Sequence, residues 1–267
     1  MTIIDYTIFY FMRDIQNESD PRNINIDKVG IKNLRYPILL SDKAHKQQHT
    51  IAQINMYVNL PHNFRGTHMS RFVEILSRFH REIAIHNIGT ILKTMKQELN
   101  AESAHIEMEF PYFIEKKAPV TGAVGLMEYR CNFVGNLTDK TRLVLGVAVP
   151  ITTLCPCSKD MAKKSAHNQR GKIRTQVRFK GFFWIEDLIE LVENCASSPI
   201  YSLLKREDEK YVTEHAYENP VFVEDVVRNV AQKLDTYSDI TWYKVEVESY
   251  ESIHNHDAYA ALEKKVI

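Results

Sequence analysis

Apolar and polar residues alternate along several stretches of the chain, and elsewhere the apolar positions recur at helical spacing. Thr50 to Leu60 (TIAQINMYVNL) alternates with β-branched residues, and Arg35 to Leu40 does so more weakly, so the two predict a pair of strands. From Ser70 onward, Phe72, Ile75, Leu76, Phe79, Ile83 and Ile88 fall near a period of 3.6, which predicts an amphipathic helix with Ser70 as N-cap and Gly89 as an interruption. Thr90 to Leu99 predicts a second helix. His105 to Ile114 returns to strand alternation, with Ile106, Met108 and Phe110 on one face.

The second half repeats this order. Gly125 to Val134 and Arg142 to Ile151 read as strands joined by the turn-like stretch Gly135 to Asp139, and Lys172 to Phe183 reads as another. Helices follow at Ile185 to Asn194 and Val221 to Leu234, the latter opened by Asn219-Pro220 and faced by Val223, Val226, Val227, Val230 and Leu234. Ile240 to Val247 closes as a strand. The stretch from Asp14 to Asn33 is polar and broken by Pro21 and Gly30, so it predicts an irregular leader. The chain therefore divides into a leader (1–33), a first α+β module (34–118) and a second (119–267), as a tandem α+β repeat.

Composition changes this picture little. The chain has 267 residues, 44% hydrophobic and 25% charged, as in an ordinary globular protein. Lys+Arg and Asp+Glu both number 34, which excludes a global field for nucleic acid or an anionic membrane, so any anionic ligand has to be held locally. Thr7 to Met12 is apolar but only six residues long and flanked by Asp5, Arg13 and Asp14, which fits neither a signal peptide nor a membrane span and leaves the cytoplasm as the expected location.

Two of the four cysteines, Cys155 and Cys157, lie in Cys-Pro-Cys, where a local disulfide would be strained. They follow directly on a predicted strand, and His167 comes twelve residues after Cys155, just before the next strand. Between and around them stand Lys159, Lys163, Lys164, Arg170 and Lys172. Thiolate and imidazole suit zinc or a similar divalent ion, and a catalytic site leaves one position open for water. Two other readings of the same residues stay open: a covalent cysteine nucleophile beside cations, and a cysteine buried as a small hydrophobe. Elsewhere, Glu246 and Glu248 read as the solvated side of a strand, and Glu224 and Asp225 as favourable charges at a helix N-terminus. Glu209 in REDEKYVTE reads as a solvated charge run. His254 and His256 lie past a strand end, where loop exposure and acid–base work are both open.

TTLCPCSK, His167 in SAHNQRG, YENPVFVEDVVR from Tyr217, ESIHNHDAYA from Glu251, RGTHMSRF from Arg65 and DEKYVTE from Asp208 together resemble the type IB GTP cyclohydrolases, in the right order from about Asp14 to Ala260. The resemblance implies tunnelling-fold modules, antiparallel sheets with helices on one face that assemble into barrels, and a homotetramer with active sites between subunits. It implies hydrolysis of GTP to 7,8-dihydroneopterin triphosphate and formate, feeding folate-type pterin synthesis or a deazaguanine route. It assigns Cys155, His167 and Glu209 to a divalent metal (Zn, Mn or Fe), Glu224 to the guanine, and Cys157 and His254 to catalysis beside Cys155. Arg65, His68, Arg71, Lys159, Arg170 and Lys172 are then the cations expected to meet the triphosphate. The alternatives are a related pterin or deazapurine enzyme with a cysteine nucleophile, and a non-catalytic purine-binding oligomer.

Overall fold

In the computed structural model the described residues are 14–79 and 87–266. After a 3-10 turn at Ile15–Asn17 come β1 (Ile26–Asp42), β2 (Lys46–Leu60), α1 (Met69–Arg78), α2 (Ile88–Glu98), β3 (Ala104–Lys117) and β4 (Val124–Leu137). Then follow β5 (Thr141–Leu154), α3 (Pro156–Met161), β6 (Asn168–Phe179), α4 (Ile185–Glu193), β7 (Ser198–Pro199), α5 (Arg206–Glu218), α6 (Val223–Leu234), β8 (Ile240–Ser249) and β9 (Ala258–Lys265).

The long strands form one antiparallel sheet in the order β1-β2-β3-β4-β5-β6-β8-β9, and β7 adds a short pairing to β5. Alternation explains its two faces. Ala52, Ile54 and Met56 of β2 are fully buried, as are Tyr243, Val245 and Val247 of β8, and both sets face the helices. The helices cover them with Ile75 and Leu76, Ile91 and Met95, Leu188 and Val192, and Val226, Val230 and Leu234. Among the described residues the other face carries no helix, and it is polar. Asn55, Glu107, Arg130, Asn132, Lys172 and Arg174 border an open groove of about 420 Å³ there.

The element order strand, strand, helices, strand, strand runs twice, with residues 138–140 between the two runs. Residue 118 lies in the connection between β3 and β4. Several local expectations are corrected. Ile26 to Asn33, expected to be irregular, is the first half of β1, an edge strand that among the described residues pairs with β2 alone and carries register shifts between Ile26 and Val29 and between Ile31 and Leu34. His68 rather than Ser70 precedes α1, the strand expected from Lys172 starts at Asn168, and the charge run around Glu209 is helix α5. Ile83 and the apolar Thr7 to Met12 lie outside the described residues. Among those residues, no helix is long and apolar enough to cross a membrane.

Candidate active site

The loop between β5 and β6 is closed at its base. Leu154 pairs with Asn168, and the Cys155 N–H donates to the His167 carbonyl at 3.1 Å. Cys155 and His167, twelve residues apart in sequence, are therefore cross-strand neighbours at the mouth of the sheet. Pro156 at the first helical position starts the short α3 with its fixed φ, and Cys155 caps it, its Sγ accepting from the Ser158 N–H at 3.4 Å. Ser158 also holds the other side of the loop, its Oγ accepting from the His167 N–H at 3.1 Å. Both cysteines are free thiols, Cys155 half-buried and Cys157 exposed, so the proline does separate their environments.

The His167 ring is held from below. Its Nδ1 lies 2.9 Å from Gln169 Oε1 and 3.9 Å from the Glu251 carboxylate. Gln169 is buried and donates through Nε2 to Thr153 Oγ1 at 2.9 Å, and Thr153 meets Ser249 Oγ at 2.9 Å. Gln169, Thr153 and Ser249 are functional candidates that no motif in the sequence singles out. The i, i+2 spacing of His167 and Gln169 at the start of a strand was the available signal.

Three further elements reach this end of the sheet. The Val221 N–H donates to the Leu154 carbonyl at 3.2 Å, which brings the N-terminus of α6, with exposed Glu224 in its first turn, beside the cysteine loop. Asp225 is engaged there, accepting from the Phe222 N–H at 3.1 Å, whereas Glu224 presents its carboxylate to solvent. The Lys159 ammonium donates to the Tyr217 carbonyl at the end of α5 and lies 4.4 Å from the centre of the Tyr217 ring. The Tyr250 N–H donates to the Arg170 carbonyl at 2.9 Å, anchoring the exposed β8–β9 loop, in which the His254 and His256 rings stack at 5.1 Å. Lys172 lies further along β6, on the polar face.

Other expected site residues stand apart. Glu209 is exposed in the first turn of α5, next to Asp208, which is fully buried against residues 120 and 121. Among the described residues, no three His, Cys, Asp or Glu side chains are gathered as a metal site. The donor chemistry of Cys155 and His167 fits two corners of a thiolate–imidazole metal centre, His167 having one ring nitrogen engaged and the other left over. Glu209 is not assembled with them in the single chain. Arg65, His68 and Arg71 follow the Leu60 end of β2. Through the registers Val58–Ala104, Ala104–Leu137 and Leu137–Thr141, that end aligns with the start of β5, whereas Cys155 follows its end. Fourteen strand residues separate the two ends of β5, roughly 45 Å, far longer than a nucleoside triphosphate. There, Arg65 meets Glu18 at 3.5 Å, His68 meets Asp14 at 3.2 Å, and Arg71 donates to the Glu98 carbonyl at 3.2 Å.

Solved structures with this architecture include the urate oxidase of Bacillus sp. TB-90 (TM-score 0.55, 6% identity, covering 90% of this chain and 100% of that one). The uricase of Arthrobacter globiformis is another (TM-score 0.51, 8% identity, 90% and 93%). At such identities the likeness shows the fold alone, the tunnelling fold. Sequence relatives are far nearer. The proteins named GTP cyclohydrolase FolE2 from Syntrophotalea carbinolica and Geotalea uraniireducens are 59% and 58% identical, covering 94% and 95% of this chain and 95% and 93% of their own lengths. The family described as "Type I GTP cyclohydrolase folE2" matches residues 12–260. With that match over residues 12–260 and those identities over nearly the whole length, the chain belongs to the FolE2 family of type I GTP cyclohydrolases.

Proposed function

We propose that this protein is a GTP cyclohydrolase of type IB, converting GTP to 7,8-dihydroneopterin triphosphate and formate in the cytoplasm, as the first step of tetrahydrofolate-type pterin synthesis. The observation that carries the reading is the gathering, at one end of the sheet, of Cys155, Cys157, His167, the α6 N-terminus with Glu224, and the His254 loop, in a chain that the family matches over residues 12–260. Glu224 suits guanine because an ionised carboxylate is acceptor-only and takes two hydrogen bonds, from N1–H and the 2-amino group, a donor pair that adenine lacks. Cys155 and His167, joined by Glu209, would hold a divalent cation (Zn, Mn or Fe), whose chemistry when bound is to lower the pKa of water for attack on C8. Cys157, exposed on α3, and His254 supply protons to the nitrogens released on ring opening. Lys159, Arg170 and Lys172 offer positive charge to the triphosphate from this chain. Arg65, His68 and Arg71 do so from a neighbouring copy in a homotetramer with sites between subunits.

One observation favours a second reading: three metal ligands are not gathered among the described residues, so a metal-free route with Cys155 or Cys157 as nucleophile competes. Incubating the protein with GTP and assaying formate and, after oxidation, a fluorescent pterin tests the first reading. Activity is expected to disappear on chelation and return with a divalent ion. Full activity in metal-free protein would replace the metal route with the covalent one, and no product with any divalent ion would reject the cyclohydrolase reading.

A further inference from the structure

The groups beneath His167 form a single buried line: His167 Nδ1, the Gln169 amide, Thr153 Oγ1 and Ser249 Oγ, each within 2.9 Å of the next. Thr153 and Ser249 are 2% exposed and Gln169 8%, so no bulk water competes for these bonds, and each polar atom depends on its neighbour in the line. A neutral imidazole carries its proton on one nitrogen or the other, and the partner of Nδ1 decides which. The amide of Gln169 has an acceptor end and a donor end. If the oxygen faces the ring, Nδ1 must carry the hydrogen. If the NH2 group faces the ring, Nδ1 must be the bare nitrogen and Nε2 the protonated one.

Glu251 favours one of the two arrangements. Its carboxylate lies 3.9 Å from the same nitrogen, in a pocket where its side chain is 13% and that of His167 14% exposed. An anion at that distance favours an N–H dipole pointing toward it and disfavours a lone pair there. Gln169 therefore presents Oε1 to the ring, gives its NH2 hydrogen to Thr153, and leaves the Thr153 hydroxyl hydrogen for Ser249. Each of the three contacts then has one donor and one acceptor.

We propose that Gln169 is a positioning residue that, with Glu251, locks His167 as the Nδ1–H tautomer and so keeps Nε2 as the bare nitrogen available to a ligand. The tautomer follows from this geometry alone. Its consequence, that Gln169 sets the affinity of the site for a divalent ion, rests on the metal reading of the proposed function. Sequence spacing gives the line its shape: His167 immediately precedes β6, Gln169 follows two residues later within it, and β6 lies between β5 and β8, which supply Thr153 and Ser249.

The test uses the full-length protein labelled with 15N-histidine, the His167 signals being identified by their loss in His167→Gln. Wild type is expected to show Nδ1 protonated and Nε2 bare. Gln169→Glu keeps an acceptor at Nδ1 and is expected to keep that tautomer, whereas Gln169→Leu removes the acceptor and is expected to shift His167 toward Nε2–H. Zn²⁺ affinity, measured by chelator competition, is expected to fall about 10- to 100-fold in Gln169→Leu and to remain near wild type in Gln169→Glu. A packing role alone predicts the reverse order, since Leu fills the buried space and Glu adds a charge to it. Should Gln169→Leu fail to fold, Thr153→Val frees the amide to turn over and is expected to give a mixture of tautomers. A bare Nδ1 in wild type, or an unchanged tautomer in Gln169→Leu (in Thr153→Val where that protein does not fold), overturns the proposal. If wild type binds no Zn²⁺ while the tautomer behaves as described, the metal reading fails and the positioning role stands.

Discussion

Asp208 touches none of the reacting groups proposed here, yet it is the most heavily engaged carboxylate in this part of the molecule. Fully buried in the first turn of α5, it accepts from the Val120 N–H, the Thr121 N–H and the Lys205 N–H at 2.9 Å each and from Thr121 Oγ1 at 2.6 Å. Burial pushes its pKa up, but the bonds from Thr121, Lys205 and Val120 together outweigh that and hold the carboxyl below its ordinary range. Its folded pKa is thus depressed relative to the unfolded value of about 3.9. The stability it contributes is present above that value and is lost as pH falls through the folded pKa. Asp208→Asn, which presents an NH2 group to donors, is expected to lower Tm by several degrees near pH 7. The gap from wild type should begin to narrow below about pH 4, where the carboxyl of the unfolded chain takes up a proton while the folded one stays ionised. Thermal unfolding of both proteins from pH 3 to pH 7 checks this. A constant gap across that range would show that folding does not lower the pKa of Asp208. Because Glu209 is the next residue, the clamp also fixes where α5 presents it.

Elements declared themselves in the sequence in proportion to the apolar surface they bury. Helix α6 was legible because Val223, Val226, Val227, Val230 and Leu234 are all buried at helical spacing. Helix α5 was not: only Asp208 and Ala216 of its thirteen residues are buried, so it has no apolar stripe, and its anchor is a carboxylate, the residue type a periodicity reading discards. The first half of β1 was hidden because it is a half-exposed edge with irregular register, and β7 because two residues have no period. Yet β7 matters to the site. It pairs with Thr152 and Ile151, and the preceding Ser197 Oγ accepts from the Leu154 N–H at 3.0 Å, one residue before Cys155. What holds this segment is Lys116, which donates to the Ile200 carbonyl at 2.8 Å and to Glu193 at 2.7 Å, while Tyr129 donates to the same carboxylate at 2.6 Å. Burial pulls the Lys116 ammonium below the usual lysine range even with Glu193 beside it. Removing one member of such a buried pair strands the other. Lys116→Met is expected to cost on the order of 3 kcal/mol, and the double variant Lys116→Met with Glu193→Gln less than the sum of the single losses. Denaturant unfolding of the four proteins closes that cycle, and strict additivity would show that the two charges do not interact.

At the scale of the molecule, the sheet has helices on one face, a polar face opposite, and two outer strands, β1 and β9, each pairing on one side among the described residues. Free edges of such length ordinarily find a partner or are blocked. The distribution of site residues bears on the same point. Within one chain, Arg71 and its neighbours Arg65 and His68 stand at the opposite end of the sheet from Cys155, so a single chain cannot apply both groups to one substrate. If both groups serve GTP, they come from different copies, and two separately inactive proteins should rescue each other. Cys155→Ala and Arg71→Ala are each expected to lose most activity while remaining folded. Unfolded together and refolded as a mixture, they should form some sites with wild-type residues from both contributors and recover a measurable fraction of wild-type turnover, with native mass spectrometry verifying that mixed oligomers are present. Mixed oligomers without recovered activity would place the whole reaction at the Cys155 end of one chain and remove Arg71 from the substrate site. Cys155→Ala combined with His167→Gln supplies the contrast: paired across the base of one loop, these two residues are lost from the same place, so two chains carrying those single changes should not complement.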